Sequence, residues 1–146
     1  MRVVIQRVKE AEVKVAGQSI GRIARGMLVF LGVARDDDKS DAEHLVKKIT
    51  ELRIFEDAQG KMNISAQEAG AQFLVVSQFT LYGNCDRGRR PSFDEVADPA
   101  KGEEFYNYFV SLLKASKAIV ETGQFRAMMD VSLINDGPVT FIIDSK

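Results

Sequence analysis

The chain has one cysteine, one histidine, three prolines and no tryptophan in 146 residues. A lone thiol, Cys85, permits no disulfide within the chain and no zinc site built on cysteines, and suits a reducing compartment. There is no surplus of charge either: 20 Lys and Arg stand against 21 Asp and Glu, a formal net charge of −1. That balance excludes a globally basic nucleic-acid binder but leaves room for a local basic patch. No apolar run approaches the ~20 residues of a membrane span. The opening MRVVIQRVKEAEVKV alternates and carries charges throughout, without the apolar stretch of a signal peptide, so the expected location is the cytoplasm. The patterns G-x-x-x-x-G-K-[ST], G-x-G-x-x-G and H-E-x-x-H are absent, which removes the common nucleotide and metalloprotease readings.

What is present reads as one domain spanning residues 1–146. Glu10 to Val15 alternates strictly, with Ala11, Val13 and Val15 on one face, the signature of a half-buried antiparallel strand. Gly17-Gln18 is a turn signal, with Ser19 to Ala24 returning. Met27 to Ala34 and Gln72 to Val76 are continuously apolar and read as central strands. Ser40 followed by Glu43 fits a capping box, and Ala42, Leu45, Val46, Ile49 and Leu52 then recur at helical spacing. His44 falls on the solvated face of that helix, a poor position for a catalyst or ligand. Arg53 to Phe55 and Met62 to Ile64 flank a hairpin loop with Gly60 at its turn. A second helix opens with Asp98 as N-cap and Pro99 behind it, and carries a Phe105, Tyr108, Phe109 and Leu112 stripe. Met129 to Ile134 and Val139 to Ile143 read as two closing strands separated by a turn at Gly137-Pro138. The expected class is α+β: a mainly antiparallel curled sheet or barrel with two principal helices.

Chemistry has three candidate places. The first is SQFTLYG, Ser77 to Gly83, where a buried strand ends in hydroxyls, an amide and free backbone N–H groups able to bind a carbonyl oxygen. Ser77 and Thr80 invite a nucleophile reading, but no S-x-x-K or G-x-S-x-G pattern supplies a base. The second is Asn84 to Ala97, a long loop whose Arg87, Arg89 and Arg90 suit phosphates. Cys85 beside them is a candidate reactive thiol. The third is NDGPVTF, whose Gly-Pro either marks a plain turn or presents carbonyls for recognition. Glu10 with Glu12, and Asp36 to Asp38, are declined as metal carboxylates, the first on a solvent face and the second in a loop.

SQFTLYG, GRRPSF (Gly88 to Phe93) and NDGPVTF stand in the order and spacing of the D-aminoacyl-tRNA deacylases, which this chain resembles over essentially its whole length. The resemblance implies hydrolysis of the ester joining a D-amino acid to the terminal adenosine of tRNA, or glycine, including glycine mischarged on tRNA for alanine. It also implies a homodimer working without metal or organic cofactor, its site at the subunit interface. Ser77, Gln78, Phe79 and Thr80 would form the catalytic pocket, with Leu81 and Met129 beside them. Gly137 and Pro138, joined by a cis bond, would enter from the partner and block an L side chain with their carbonyls. Arg7 would anchor the partner's Gly-Pro loop, and Arg87, Arg89 and Arg90 would meet tRNA phosphates. Arg126 stands where the family commonly has a small residue, and GNCD departs from the usual wording. The residues by themselves also fit a non-catalytic nucleic-acid binder using the Arg87 to Arg90 loop, a thiol hydrolase at Cys85, or an esterase acting on small D-amino esters.

Overall fold

The computed structural model describes residues 1–86 and 88–146. Its organising element is β1 (Arg2–Val15), which buries Val3, Ile5, Val8, Ala11 and Val13. This strand is long enough to hold two partners along one edge. β2 (Gln18–Ile23) lies antiparallel against its second half and β3 (Gly26–Gly32) against its first half. β3 then pairs in parallel with β6 (Gln72–Ser77), which pairs in parallel with β7 (Val120–Thr122). The apolar runs of β3 and β6 are thus the parallel part of a mixed sheet, covered on both faces. β2 closes back toward β7: a Cβ on Gly21 would stand 2.5 Å from the Thr122 carbonyl oxygen. The sheet is therefore a nearly closed barrel. β4 (Phe55–Glu56) and β5 (Met62–Ile64) form a separate hairpin with Gly60 at positive φ in its loop.

The expected two helices are present. α1 (Lys39–Glu51) and α2 (Pro99–Ala115) cover one face of the sheet, where Ile5, Val29, Leu45, Ile49, Phe73 and Phe109 share the larger core. The alternate residues Leu28, Leu74 and Val76 join Val8, Val13 and Ile23 in a smaller core on the other face. No helix among the described residues is long and apolar enough to cross a membrane.

Two expectations are corrected. The cap of α1 is Asp38, not Ser40: the Asp38 carboxylate accepts from the Ser40 N–H at 2.8 Å, and the Asp41 carboxylate accepts from the Asp38 N–H at 2.8 Å. A charged acceptor holds those N–H groups more strongly than a serine hydroxyl, and the Ser40 hydroxyl instead donates to Asp38 at 2.5 Å. The cap of α2 is Asp98 as expected, accepting from Ala100 and Lys101.

The second correction concerns Gly137-Pro138, which does not reverse the chain. β8 (Asp130–Asp144) is one strand running antiparallel to β1 on both sides of the dipeptide. Asn135 faces Val8 and Thr140 faces Gln6, so residues 136–139 bulge out opposite Arg7 alone. Because both flanks pair with the same neighbour, the chain leaves the ladder and rejoins it in the same direction.

Candidate active site

The site begins where β6 runs out of partners. Its last rung is the Gln78 N–H donating to the Leu31 carbonyl at 2.8 Å. The backbone then tightens into one 3₁₀ turn, Phe79–Tyr82, in which bonds span three residues: Leu81 N–H to the Gln78 carbonyl at 3.2 Å and Gly83 N–H to the Thr80 carbonyl at 2.9 Å. The Phe79 and Thr80 N–H groups precede the first residues that can find an acceptor inside the turn, and no side chain among the described residues caps them. Gln78 Nε2 instead donates to Thr80 Oγ1, which fixes both side chains beside those free N–H groups.

Ser77, Gln78, Phe79 and Thr80 open into a groove of about 670 Å³, within the range of small-molecule sites. Leu31 of β3, Val33 just beyond it and Val76 of β6 contribute apolar surface, and Asp98, Pro99 and Gly102 contribute the start of α2. The segment 125–129, including Phe125, Arg126 and Met129, supplies the rest. Met129 is accommodated because residue 123 is glycine: a Cβ there would stand 2.7 Å from its Sδ. Phe125 packs on Tyr106 of α2 with ring centroids 6.0 Å apart. Asp98 is the one carboxylate among the described lining residues, and its Oδ1 is taken by the backbone of α2.

Phe79 marks the rim. It is 54% exposed and meets Phe93 edge-on at 5.1 Å between centroids. Phe93 follows a two-way backbone pairing of Asn84 with Ser92, at 2.9 and 3.0 Å. That bridge closes the loop bearing exposed Cys85, Arg89 and Arg90; Arg87 lies outside the described residues. Cys85 is not part of the groove lining, and His44 is exposed on α1.

Gly137 and Pro138 are exposed at the bulge of β8 and joined by a cis peptide bond. They do not line their own chain's groove, and neither do Leu81 and Arg7. Leu81 packs toward Gly32, and its carbonyl accepts from Arg2 at 3.1 Å. The Arg7 guanidinium is buried and holds its own chain. Nε donates to the Asp136 carbonyl at 2.8 Å, Nη1 to the Ile54 carbonyl at 2.5 Å, and Nη2 to Glu56 at 3.4 Å. Asn135 clamps the base of the bulge, accepting from the Val139 N–H at 2.8 Å and donating to the Val139 carbonyl at 3.2 Å.

Asn135, Phe93 and Phe125 are contributions that sequence reasoning passed over. The signal for Asn135 was its residue type: a short amide beside a glycine-proline pair commonly bonds nearby backbone. No group of three His, Cys, Asp or Glu among the described residues is arranged to hold a metal ion.

Comparison with known proteins places the whole chain in one family. The family described as D-Tyr-tRNA(Tyr) deacylase matches residues 4–144. A D-aminoacyl-tRNA deacylase of Desulfatibacillum aliphaticivorans is 57% identical over 146 residues, covering 100% of both chains. One from Thermotoga petrophila is 56% identical, over 99% of this chain and 97% of that protein. Among solved structures, one described as "c-Myc DNA Unwinding Element Binding Protein" is 39% identical and superposes with a TM-score of 0.94, covering 100% of this chain and 99% of that one. A probable eukaryotic D-amino acid tRNA deacylase, 20% identical, shares the fold with a TM-score of 0.85 over 98% of each chain. The family match runs through nearly the whole chain, full-length relatives are more than half identical to it, and the chain belongs to the D-Tyr-tRNA(Tyr) deacylase family.

Proposed function

We propose that the chain hydrolyses the ester of D-aminoacyl-tRNA, releasing the free D-amino acid and intact tRNA, and that it does so as a homodimer in the cytoplasm. Family membership makes it a hydrolase. The observation that carries the ester chemistry is the pair of N–H groups at Phe79 and Thr80, uncapped among the described residues and opening on a groove lined largely by apolar side chains.

In this reading the ester carbonyl oxygen lies against those N–H groups, which are aimed at the negative charge that a tetrahedral intermediate gathers there. Water adds to the carbonyl carbon, and the acyl–oxygen bond then breaks, returning a hydroxyl to the ribose and leaving a carboxylate. The described lining holds no histidine, lysine or cysteine, and Asp98 is engaged as a cap. Activation of the water is therefore assigned to the substrate's own ribose 2′-hydroxyl. Ser77 and Gln78 brace the pocket. The Gln78 bond to Thr80 Oγ1 gives Thr80 a positioning task rather than a nucleophile's.

Selection between enantiomers is assigned to the exposed Gly137-Pro138 bulge of a partner copy. Its carbonyls would fill the space an L side chain needs and leave room for the α-hydrogen of a D-amino acid or glycine, so that rejection is steric. Arg7 serves this by fixing its own chain's bulge for presentation. Arg89 and Arg90, together with Arg87, would meet tRNA phosphates and supply affinity without sequence reading. The task is then proofreading of mischarged tRNA during translation.

A second reading, a nucleic-acid binder without catalysis, is favoured by the likeness to the 39% identical DNA-unwinding-element-binding protein. Chelator-treated protein incubated with excess D-tyrosyl-tRNA separates the two. Release of many equivalents of D-tyrosine per protomer supports the deacylase; salt-sensitive binding with the ester intact supports the binder.

A further inference from the structure

The geometry points to Arg126 as a substrate-anchoring residue, its guanidinium binding a phosphate of the polynucleotide strand beside the aminoacylated end. The inference rests on the deacylase reading of the groove and deepens it by naming how the strand is held there.

Arg126 lines the groove that Ser77 to Thr80 open into. Its backbone has φ +61°, the left-handed region that a side chain with a Cβ rarely adopts. A glycine would relax there, so the arginine is carried at a conformational cost. Packing does not repay that cost, because the residue is exposed. Neither does pairing within the chain: among the described residues Arg126 makes no ion pair and no hydrogen bond. The other charged group of the lining, Asp98, is committed to the backbone of α2. What remains is a planar cation with no partner among the described residues, exposed at the edge of the groove where an incoming anion can reach it. A phosphate diester matches that fork, and a strand entering with its terminal ester at Phe79 and Thr80 carries phosphates as its nearest anions.

The test compares wild type with Arg126→Gly and Arg126→Lys on two substrates, D-tyrosyl-tRNA and D-tyrosyl-adenosine, the second having no phosphate. Binding of uncharged tRNA is followed in parallel across a salt series. Arg126→Gly, which suits the backbone, is expected to raise KM for D-tyrosyl-tRNA about tenfold with kcat nearly unchanged. It should also flatten the slope of log affinity for uncharged tRNA against log salt by about 0.7, one single-strand phosphate contact. Arg126→Lys should restore the salt slope and part of KM, and D-tyrosyl-adenosine should be cleaved equally by all three. An unchanged KM and slope, or an equal loss on both substrates, would overturn the assignment. Should wild type cleave neither ester, the deacylase reading fails, while the salt slope on uncharged tRNA still decides whether Arg126 meets a phosphate.

Discussion

Arg7 Nε donates to the carbonyl of Asp136 at 2.8 Å, tying a buried cation of β1 to the exposed bulge of β8. The other end of the guanidinium is held by Ile54 and Glu56, so the bulge is referenced to the body of the protein rather than left as a free loop. Arg7→Ala removes the donors of two carbonyls. It is expected to destabilise the fold by about 2 kcal/mol in chemical denaturation and to weaken discrimination between D and L esters in the surviving folded protein.

Asn135 makes the same bulge rigid at its neck. Asn135→Ala leaves the Val139 N–H and carbonyl without their amide partner, a loss of about 1–2 kcal/mol of stability. Cleavage of the D ester should persist while the L ester becomes measurably labile, which a paired hydrolysis assay reads directly. A variant that lost both activities in proportion would show that Asn135 acts on the fold alone.

Gly123 is the seat of Met129. A methyl group at 123 would stand 2.7 Å from Met129 Sδ, and the flexible thioether is the atom that moves. Gly123→Ala is therefore expected to push Met129 into the groove and raise KM for D-tyrosyl-tRNA more than it lowers kcat. Steady-state kinetics separates the two.

Acid stability should depend on Asp41. Burial pushes its carboxyl up, but the Asp38 N–H, the Ser145 hydroxyl and the Lys146 ammonium outweigh that and hold it at about 2, against an ordinary 3.8. A carboxyl depressed in the fold stabilises above its unfolded value and loses that contribution as pH falls through the folded one. Between about pH 4 and pH 2 the protein should lose about 2 kcal/mol through this group. Asp41→Asn should shrink that loss in urea titrations at the two pH values.

Asp38 and Asp41, the two carboxylates that cap α1, also show what could be read without a structure. The helix was legible from Ala42, Leu45, Val46 and Ile49, because its signal is local and periodic. Its cap was misplaced by two residues because Asp38 and Ser40 are both competent, and charge decides between them. The groove was legible at one end, Ser77 to Thr80, and in Met129. Phe125 and the start of α2 reach it from elements distant in sequence, and no spacing announces such a meeting. The Gly137-Pro138 bulge was misread as a turn for the same reason: whether a dipeptide reverses a strand depends on which neighbour each flank pairs with. Here both flanks pair with β1.

The central claim is that the free N–H groups at Phe79 and Thr80 drive ester hydrolysis, while the Gly137-Pro138 bulge of a partner copy decides which enantiomer is admitted. Its most direct test is hydrolysis of matched D-tyrosyl-tRNA and L-tyrosyl-tRNA by the same preparation of chelator-treated protein. Loss of the D ester at least about a hundredfold faster than the L ester is the expected result. Equal cleavage of both would contradict steric exclusion by the bulge, and survival of both would contradict the hydrolase itself.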